Sequence, residues 1–362
     1  MKNRSKIKSF VFASMAMAIG FFIAAALIEI GVRSYVRSAL PELATQIIQH
    51  QDALSRKRQG GELFLPHPYL SFQASYVKLT DAGCMIGDRE FAFEKPEGVL
   101  RIACLGGSTT MQAYPPDMNH ILQPYYNNRV EVMDWGCSGF TIIESTINYL
   151  LRVRAFHPDI VIIHHGINDI APRRLNSFKI DYTHYRKPMQ QPPKRILDNW
   201  LHWSWAYAWV QVRAGGFQTD LLNLTMITPK PGEFFAESPP PAYTNAVFKN
   251  QLDALMKLAQ ADGAKVILAG MIYHETPSFT PEFFPVVEEH NQLMKQAAED
   301  FDAVYIDLAG RLNHQTELFM DNCHLTGKGD LLKAKYIAET VNRIMGLPES
   351  TWEIQVFEEP EK

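Results

Sequence analysis

The chain has 362 residues and a mass of 41.2 kDa, enough for one main domain with additions. Hydrophobic residues make up 46% and charged residues 20%, which excludes a disordered chain, a collagen-like chain and a many-span membrane protein, while four cysteines exclude a disulfide-dense scaffold. The net charge of −4 is unevenly spread: residues 1–40 carry six Lys or Arg against Glu29, a balance of +5, which leaves −9 on the remainder and argues against a nucleic-acid surface.

Phe10 to Ile28 is a run of 19 residues without a charge. At ~1.5 Å per residue it reaches roughly 28 Å, about the thickness of a bilayer core. Lys2, Arg4, Lys6 and Lys8 precede it with no acid before Glu29, and only Arg33 and Arg37 follow closely. The positive-inside rule puts residues 1–9 in the cytoplasm as a basic tail. It makes 10–32 a transmembrane signal anchor of the cell (inner) membrane and places the rest on the periplasmic, extracytoplasmic side. A cleaved signal peptide is the alternative, because Ala24 to Ala26 resembles a cleavage site. The apolar run nevertheless exceeds the ~7–15 residues of a signal h-region. An outside location permits disulfides. Cys104 lies in an apolar strand pattern as a small buried residue. Cys137 and Cys323 fall in loops considered below, and could pair only if the fold brings their Cα atoms within bridging reach. No C-x-x-C or H-E-x-x-H spacing marks a metal site.

Residues 33–98 read as a stalk and N-terminal arm. Residues 38–62 suggest a short helix and a polar stalk, and 63–98 a loop-rich stretch in which His67, Pro68 and Tyr69 carry no assigned chemistry. The pattern then becomes regular. Five short apolar runs, 99–105, 130–135, 160–163, 265–268 and 303–308, are rich in β-branched residues, as in strands buried on both faces. Four helical patterns, 142–156, 246–261, 286–301 and 331–345, accompany them. Strands alternating with helices imply a parallel sheet with helices on both faces. Residues 171–242 interrupt the rhythm with an insertion far longer than the usual ~2–6 residue loop. It is rich in Pro and aromatics and predicts a helix over 195–213 carrying Trp200, Trp203, Trp205, Tyr207 and Trp209. That helix could pack its aromatic face on the core, cap the active site, or lie in a membrane interface. Residues 347–362 form a C-terminal tail.

In open parallel sheets ligands bind beyond the carboxyl ends of the strands, so the residues just after each strand carry the chemistry. After the first comes Gly106-Gly107-Ser108-Thr109-Thr110. Two glycines permit a tight turn, and Ser108 would stand at the start of the next helix, either as a reactive hydroxyl or as an N-cap. After the second comes Gly136-Cys137-Ser138-Gly139-Phe140-Thr141, a bare backbone N–H for a ligand oxygen or simple turn punctuation. After the third comes Gly166-Ile167-Asn168-Asp169, an amide donor or an Asx turn. Before the last helix comes Asp321-Asn322-Cys323-His324, where an Asp can orient a His to act as base toward a Ser. Each loop alone is ambiguous; the four together, in this order, are not.

This ordered set resembles the SGNH family, also called GDSL-type esterases and lipases, over roughly residues 99–346. Leu105 to Thr109 matches the block around the nucleophile, with Gly-Gly-Ser in place of the commoner Gly-Asp-Ser. Gly139 matches the glycine of the second block, Gly166 to Asp169 the Gly-x-Asn-Asp block, and Asp321 to His324 the closing Asp-x-x-His. The resemblance implies a flavodoxin-like three-layer α/β/α sandwich with a five-stranded parallel sheet of order 2-1-3-4-5. It also implies a Ser108-His324-Asp321 catalytic triad and an oxyanion hole from the Ser108 N–H, the Gly139 N–H and the Asn168 side chain. No cofactor or metal is expected, and Asp169 is expected to serve its turn rather than the reaction.

The expectation is a serine esterase or deacylase acting on O-acetyl or short acyl esters of a small molecule or glycan. An O-acyltransferase that modifies envelope or exported polysaccharide is the alternative, since an acyl-enzyme can be resolved by water or by a sugar hydroxyl. A non-catalytic glycan-binding or scaffold domain is a third reading, disfavoured by the complete site. His164 and His165 adjoin the third block, but neighbours on a strand point to opposite faces and cannot readily chelate one ion. Tyr114, Pro115 and Pro116 could line the site or form a surface turn.

Overall fold

The computed structural model describes residues 2–40, 43–44, 47–48, 51, 64–189, 196–201, 203–213, 225–227, 230, 232–236, 239–274 and 283–348. Contacts divide the chain into two compact units: Met1–Glu62 with Gln190–Leu224, and Leu63–Met189 with Thr225–Lys362.

The first unit opens with α1 (Lys2–Ala39), one unbroken helix of 38 residues. Its stretch Phe10–Ala39 is long and apolar enough to cross a membrane. In the second unit, the segment read as loop-rich is strand. β1 (Phe64–His67) and β2 (Ser71–Ala74) pair as an antiparallel hairpin. β3 (Val77–Thr80), β4 (Gly83–Ile86) and β5 (Arg89–Ala92) form a three-stranded antiparallel sheet. Each strand has four residues, and β3 and β5 bury a single side chain each, so no apolar run announces them.

The central sheet comprises β6 (Leu100–Gly106), β7 (Val130–Asp134), β8 (Ile160–His164), β9 (Lys265–Ala269) and β10 (Val304–Ile306). All pairs are parallel and the order is β10-β9-β8-β6-β7, which is 2-1-3-4-5 counted from β6. β6 and β8 bury every residue, as strands covered on both faces do. The helices in chain order are α2 (Tyr114–Leu122), α3 (Ile142–Leu151), the short α4 (Ile170–Arg173), α5 (Ile196–Leu201), α6 (Trp205–Arg213), α7 (Ala246–Ala261), α8 (Phe284–Asp300), α9 (Leu308–Leu312) and α10 (Gly327–Ile344). α2 packs with α10 on one side, and α3 with α7, which also contacts α8, forms the other layer. The core on the α2/α10 side joins Ile102, Cys104 and Ile162 of the sheet to Tyr114, Met118, Ile337 and Val341.

Several boundaries differ from expectation for identifiable reasons. The pattern over 142–156 is α3 followed by a 3₁₀ turn, Val153–Phe156, which ends where His157 adopts a left-handed φ of 49°. Helix α2 is absent from the sequence reading because Pro115 and Pro116 suggest a turn. They occupy its first turn, where their missing N–H groups would have no partner anyway. Tyr114 is fully buried there rather than in a surface turn. The aromatic helix expected over 195–213 is two helices, α5 and α6, with the Ser204 hydroxyl accepting the Tyr207 N–H at the restart. The insertion 171–242 is likewise divided: 190–224 belongs to the first unit, while its flanks are bridged at Leu175 to Phe234 and Arg186 to Met226 in the second. Most of the expected stalk and the tail from residue 349 on lie outside the described residues.

Candidate active site

The four loops singled out in the sequence converge at the carboxyl edge of the central sheet. β6 ends at Gly106, and Ser108 sits on the turn that follows rather than on a helix start. The proline pair delays α2 until Tyr114, and Gln112 takes a left-handed φ of 53° within the turn. Ser108 is therefore not an N-cap. Its Oγ lies 2.8 Å from His324 Nε2, across 216 residues of sequence. His324 Nδ1 lies 2.7 Å from Asp321 Oδ2. A carboxylate can only accept, so Nδ1 carries the proton and Nε2 is left to accept the Ser108 O–H.

The Asp321 loop is built to hold that carboxylate ionised. Burial raises its pKa, but the Cys323 N–H (2.9 Å), the His324 N–H (2.8 Å) and the His324 ring together hold it below the usual range. The loop then enters α10 through Thr326, whose hydroxyl accepts the Gly329 N–H.

Gly139 has φ of 80°, a conformation that a side chain would strain. Asn168 donates one amide N–H to the Phe140 carbonyl at 2.9 Å, which leaves the second for another acceptor. Gly107 explains how the amide fits: a Cβ there would collide with Asn168 Nδ2. The structure thus brings Ser108, Asn168 and the Gly139 loop to one place, with His324 and Asp321 in series behind the hydroxyl.

A buried frame surrounds these groups. Arg186 donates to the Gly139 carbonyl and pairs with Glu144, Nε to Oε1 2.8 Å, at 9% and 6% side-chain exposure. Glu144 also closes the capping box of α3, accepting from the Thr141 N–H at 2.7 Å. Asp169 is fully buried and both its oxygens face the Ile142 N–H at 3.3 Å. Burial, and next the nearby Glu144 charge, push its pKa to about 8. Asp134 at the end of β7 links two loops, accepting from the Gln112 N–H (2.7 Å) and the Gly136 N–H (2.9 Å), and burial pushes it to about 7. The Tyr76 hydroxyl donates to the Gly136 carbonyl at 2.7 Å, which ties β3 and its sheet to the same loop. Lys333, 1% exposed, donates to the Thr109 carbonyl at 2.8 Å and pairs with Asp330 at 2.9 Å, which pins the residue after Ser108.

Sequence reasoning missed Arg186, Lys333, Asp134 and Glu144. Lys333 left a signal: it lies four residues before Ile337 on the apolar stripe of α10, where a cation needs a buried partner. Arg186 left none within a polar, proline-rich insertion. His164 and His165 take partners on different elements, the Ala269 carbonyl (2.9 Å) and the Ser145 hydroxyl (2.6 Å), and burial lowers both to about 3, so both are neutral. All four cysteines are free and buried, so Cys137 and Cys323 are not bridged. Among the described residues, the ligand atoms of Asp321, Cys323 and His324 lie within 4.8 Å of one another. A metal there would take the Nδ1 that Asp321 holds, and Cys323 is a thiol whose pKa burial and the Asp321 charge push up to about 12. The trio fits the hydrogen-bonded series better than an ion.

A hydroxyl, an imidazole and a carboxylate in series, set at the carboxyl edge of a parallel sheet, make an arrangement suited to acyl transfer. Residues 104–332 match the GDSL-like lipase/acylhydrolase family, and the chain belongs to that family. It is accordingly a hydrolase of ester bonds. No curated protein matches it. Solved structures similar to it include the acetylxylan esterase Axe2 from Geobacillus stearothermophilus, at 17% identity and a TM-score of 0.43, covering 70% of this chain and 98% of that one. They also include the acetyl xylan esterase AlAXEase, at 16% and 0.42, covering 67% and 99%. A third is LAE5, an α/β hydrolase from the metagenome of Lake Arreo, Spain, at 15% and 0.43, covering 69% and 97%.

Proposed function

We propose that the chain is a serine esterase or deacylase that removes O-acetyl or other short acyl groups through an acyl-enzyme, with its second unit outside the cytoplasm and α1 as an uncleaved anchor. The observation that carries this reading is the unbroken series Ser108 Oγ, His324 Nε2, His324 Nδ1, Asp321 Oδ2, with links of 2.8 and 2.7 Å. His324 takes the Ser108 proton as Oγ attacks the ester carbonyl. Asp321, ionised, stabilises the imidazolium that results. The tetrahedral oxyanion is held by the Ser108 N–H, the Gly139 N–H and the second amide N–H of Asn168. His324 then returns the proton to the leaving alcohol, and water resolves the acyl-enzyme by the same route.

A cavity of about 580 Å³ lies near the Asp321–His324 loop, lined by Tyr273, Tyr305, Asp307, Asn313 and His314 and by none of Ser108, Gly139, Asn168, Asp321 or His324. Another of its walls, His274, donates its backbone N–H to the Asn322 carbonyl in the Asp321–His324 loop at 2.7 Å.

The test uses the detergent-solubilised full chain, a short-chain chromogenic ester and a Ser108→Ala control, with and without sugar acceptors. Ser108-dependent release of acid to water is the expected result. Release that rises with acceptor and yields acylated sugar would make the protein an O-acyltransferase. No turnover together with no labelling of Ser108 by a fluorophosphonate would sink the reading in favour of a binding domain.

A further inference from the structure

Within the first unit, Glu29 of α1 caps α6. Its Oε1 accepts the Trp205 N–H and Arg33 Nε, each at 2.8 Å, and its Oε2 accepts the Ser204 hydroxyl (2.8 Å) and the Ala206 N–H (3.2 Å). The first N–H groups of a helix have no partner inside it, and a carboxylate there also meets the positive end of the helix dipole. Glu29 is only 12% exposed. Around this cap, Val36, Ala44 and Ile47 pack with Trp205 and Ala208, and the Arg37 guanidinium lies 4.8 Å from the Trp205 ring. Arg33 also donates to the Trp203 carbonyl at 2.9 Å. Helix α6 and the turn before it are therefore fixed to α1 at the level of Glu29.

Counting along α1 converts that attachment into a depth. Nineteen uncharged residues separate the basic tail from Glu29, and at ~1.5 Å each they span roughly the hydrocarbon thickness of a bilayer. With Lys8 held at the inner surface, Glu29 stands at the outer edge of the hydrocarbon, and what it caps stands among the headgroups. The faces that α5 and α6 leave open suit that level. Leu197, Trp200, Trp203 and Val210 are exposed, Trp200 at 74% and Trp203 at 53%, and in the same unit Arg33 reaches the Trp203 carbonyl while Arg37 and Arg213 lie over the rings of Trp205 and Trp209. Tryptophan with arginine is the composition of the membrane–water interface, where the ring sits at headgroup level and the guanidinium reaches water or phosphate. On α1 itself Ile28 and Ile30, on either side of Glu29, are 60% and 62% exposed.

We infer that α5 and α6 form a tryptophan-bearing collar that lies in the outer headgroup layer of the bilayer, docked to the anchor through Glu29, with phospholipid as its partner. The inference rests on α1 being an uncleaved anchor.

The test reconstitutes the full chain in phosphatidylcholine vesicles carrying bromine either close to the headgroup or close to the chain methyl. Four of the six tryptophans lie between residues 200 and 209, so their fluorescence dominates the signal. The shallow bromines are expected to quench more than the deep ones. The Trp200→Phe/Trp203→Phe variant is expected to lose about half of the lipid-dependent quenching while it stays in the vesicle pellet. Equal quenching of wild type and variant, or stronger quenching by the deep bromines, overturns the inference. So does a chain that resists alkaline extraction yet is not quenched, which leaves the anchor intact. A chain that alkaline carbonate extracts overturns the anchor and the collar together, and leaves the esterase reading of the second unit untouched.

Discussion

The polar groups at the carboxyl edge of the sheet fall into two sets that differ in burial. His324 and Asp321 keep 35% and 51% of their side chains exposed, and Ser108 is half-buried. Arg186, Glu144 and Lys333 keep 9%, 6% and 1%, and Asp169 keeps none. In the proposed reaction the first set meets the substrate and passes a proton along Ser108, His324 and Asp321, so its members stay partly open to solvent. The second set is closed off from solvent. Its charged members, Arg186, Glu144 and Lys333, are desolvated and each is answered by a partner, whereas buried Asp169 holds its proton. On the proposed function the groups that react stand on a frame of buried ion pairs, and substitutions should sort by which set they strike.

The largest effect is expected at Ser108. Ser108→Ala should lower turnover about 10⁶-fold, since a proposed nucleophile has no substitute, while the urea midpoint stays near that of wild type. Retained wild-type turnover would end the esterase assignment. Next comes the frame. Arg186→Ala leaves Glu144 buried and unanswered, and should cost about 3–5 kcal/mol of stability in urea unfolding, with kcat falling because the Gly139 loop loses its strut. Arg186→Lys should recover part of the stability but less of kcat, because an ammonium cannot reach Glu144 and the Gly139 carbonyl with the geometry of a guanidinium. A kcat unchanged in both variants would separate Arg186 from any role in turnover through the Gly139 loop. Asn168→Ala should cost about 2.7–4 kcal/mol of barrier, or 10²–10³ in kcat, with little change in KM or stability. Loss of stability without loss of kcat would make Asn168 a turn residue only.

The same division explains what could be read from the sequence. Ser108, Gly139 and Asn168 are legible because they follow apolar strand runs, and Asp321 and His324 because their spacing before the last helix completes the ordered set of the family. The frame is not, because burial of a charge is a property of the fold: nothing local distinguishes Arg186 from any other arginine in a polar insertion. Lys333 is the intermediate case, legible from its place on the apolar stripe of α10. In the fold, β6 and β8 are fully buried and easily found, whereas β1 to β5 are four residues each and mix buried, half-buried and exposed positions, so their pairing rests on tertiary context. Helix α2 was hidden by Pro115 and Pro116, whose commonest reading is a turn.

The smallest effect expected is a change in slope rather than in height. Asp169 is fully buried with its pKa raised to about 8, against an ordinary carboxylate value in the unfolded chain. Between pH 4 and 8 the folded chain keeps the Asp169 proton that the unfolded chain has released. The folded state therefore binds more protons across that window, and this group's contribution to stability, complete at the acid end, is lost as pH rises through the folded pKa. Asp134, raised to about 7, adds a similar loss that ends about one unit lower. Asp169→Asn keeps an acceptor for the Ile142 N–H and removes the titration. Unfolding free energies from urea titrations, taken from pH 5 to pH 8, should fall less steeply in the variant, by up to about 1.4 kcal/mol per pH unit. The variant should therefore gain on wild type as the solution becomes more alkaline. Parallel slopes would mean that Asp169 is ionised in the folded protein, and that Arg186 answers two buried carboxylates rather than one.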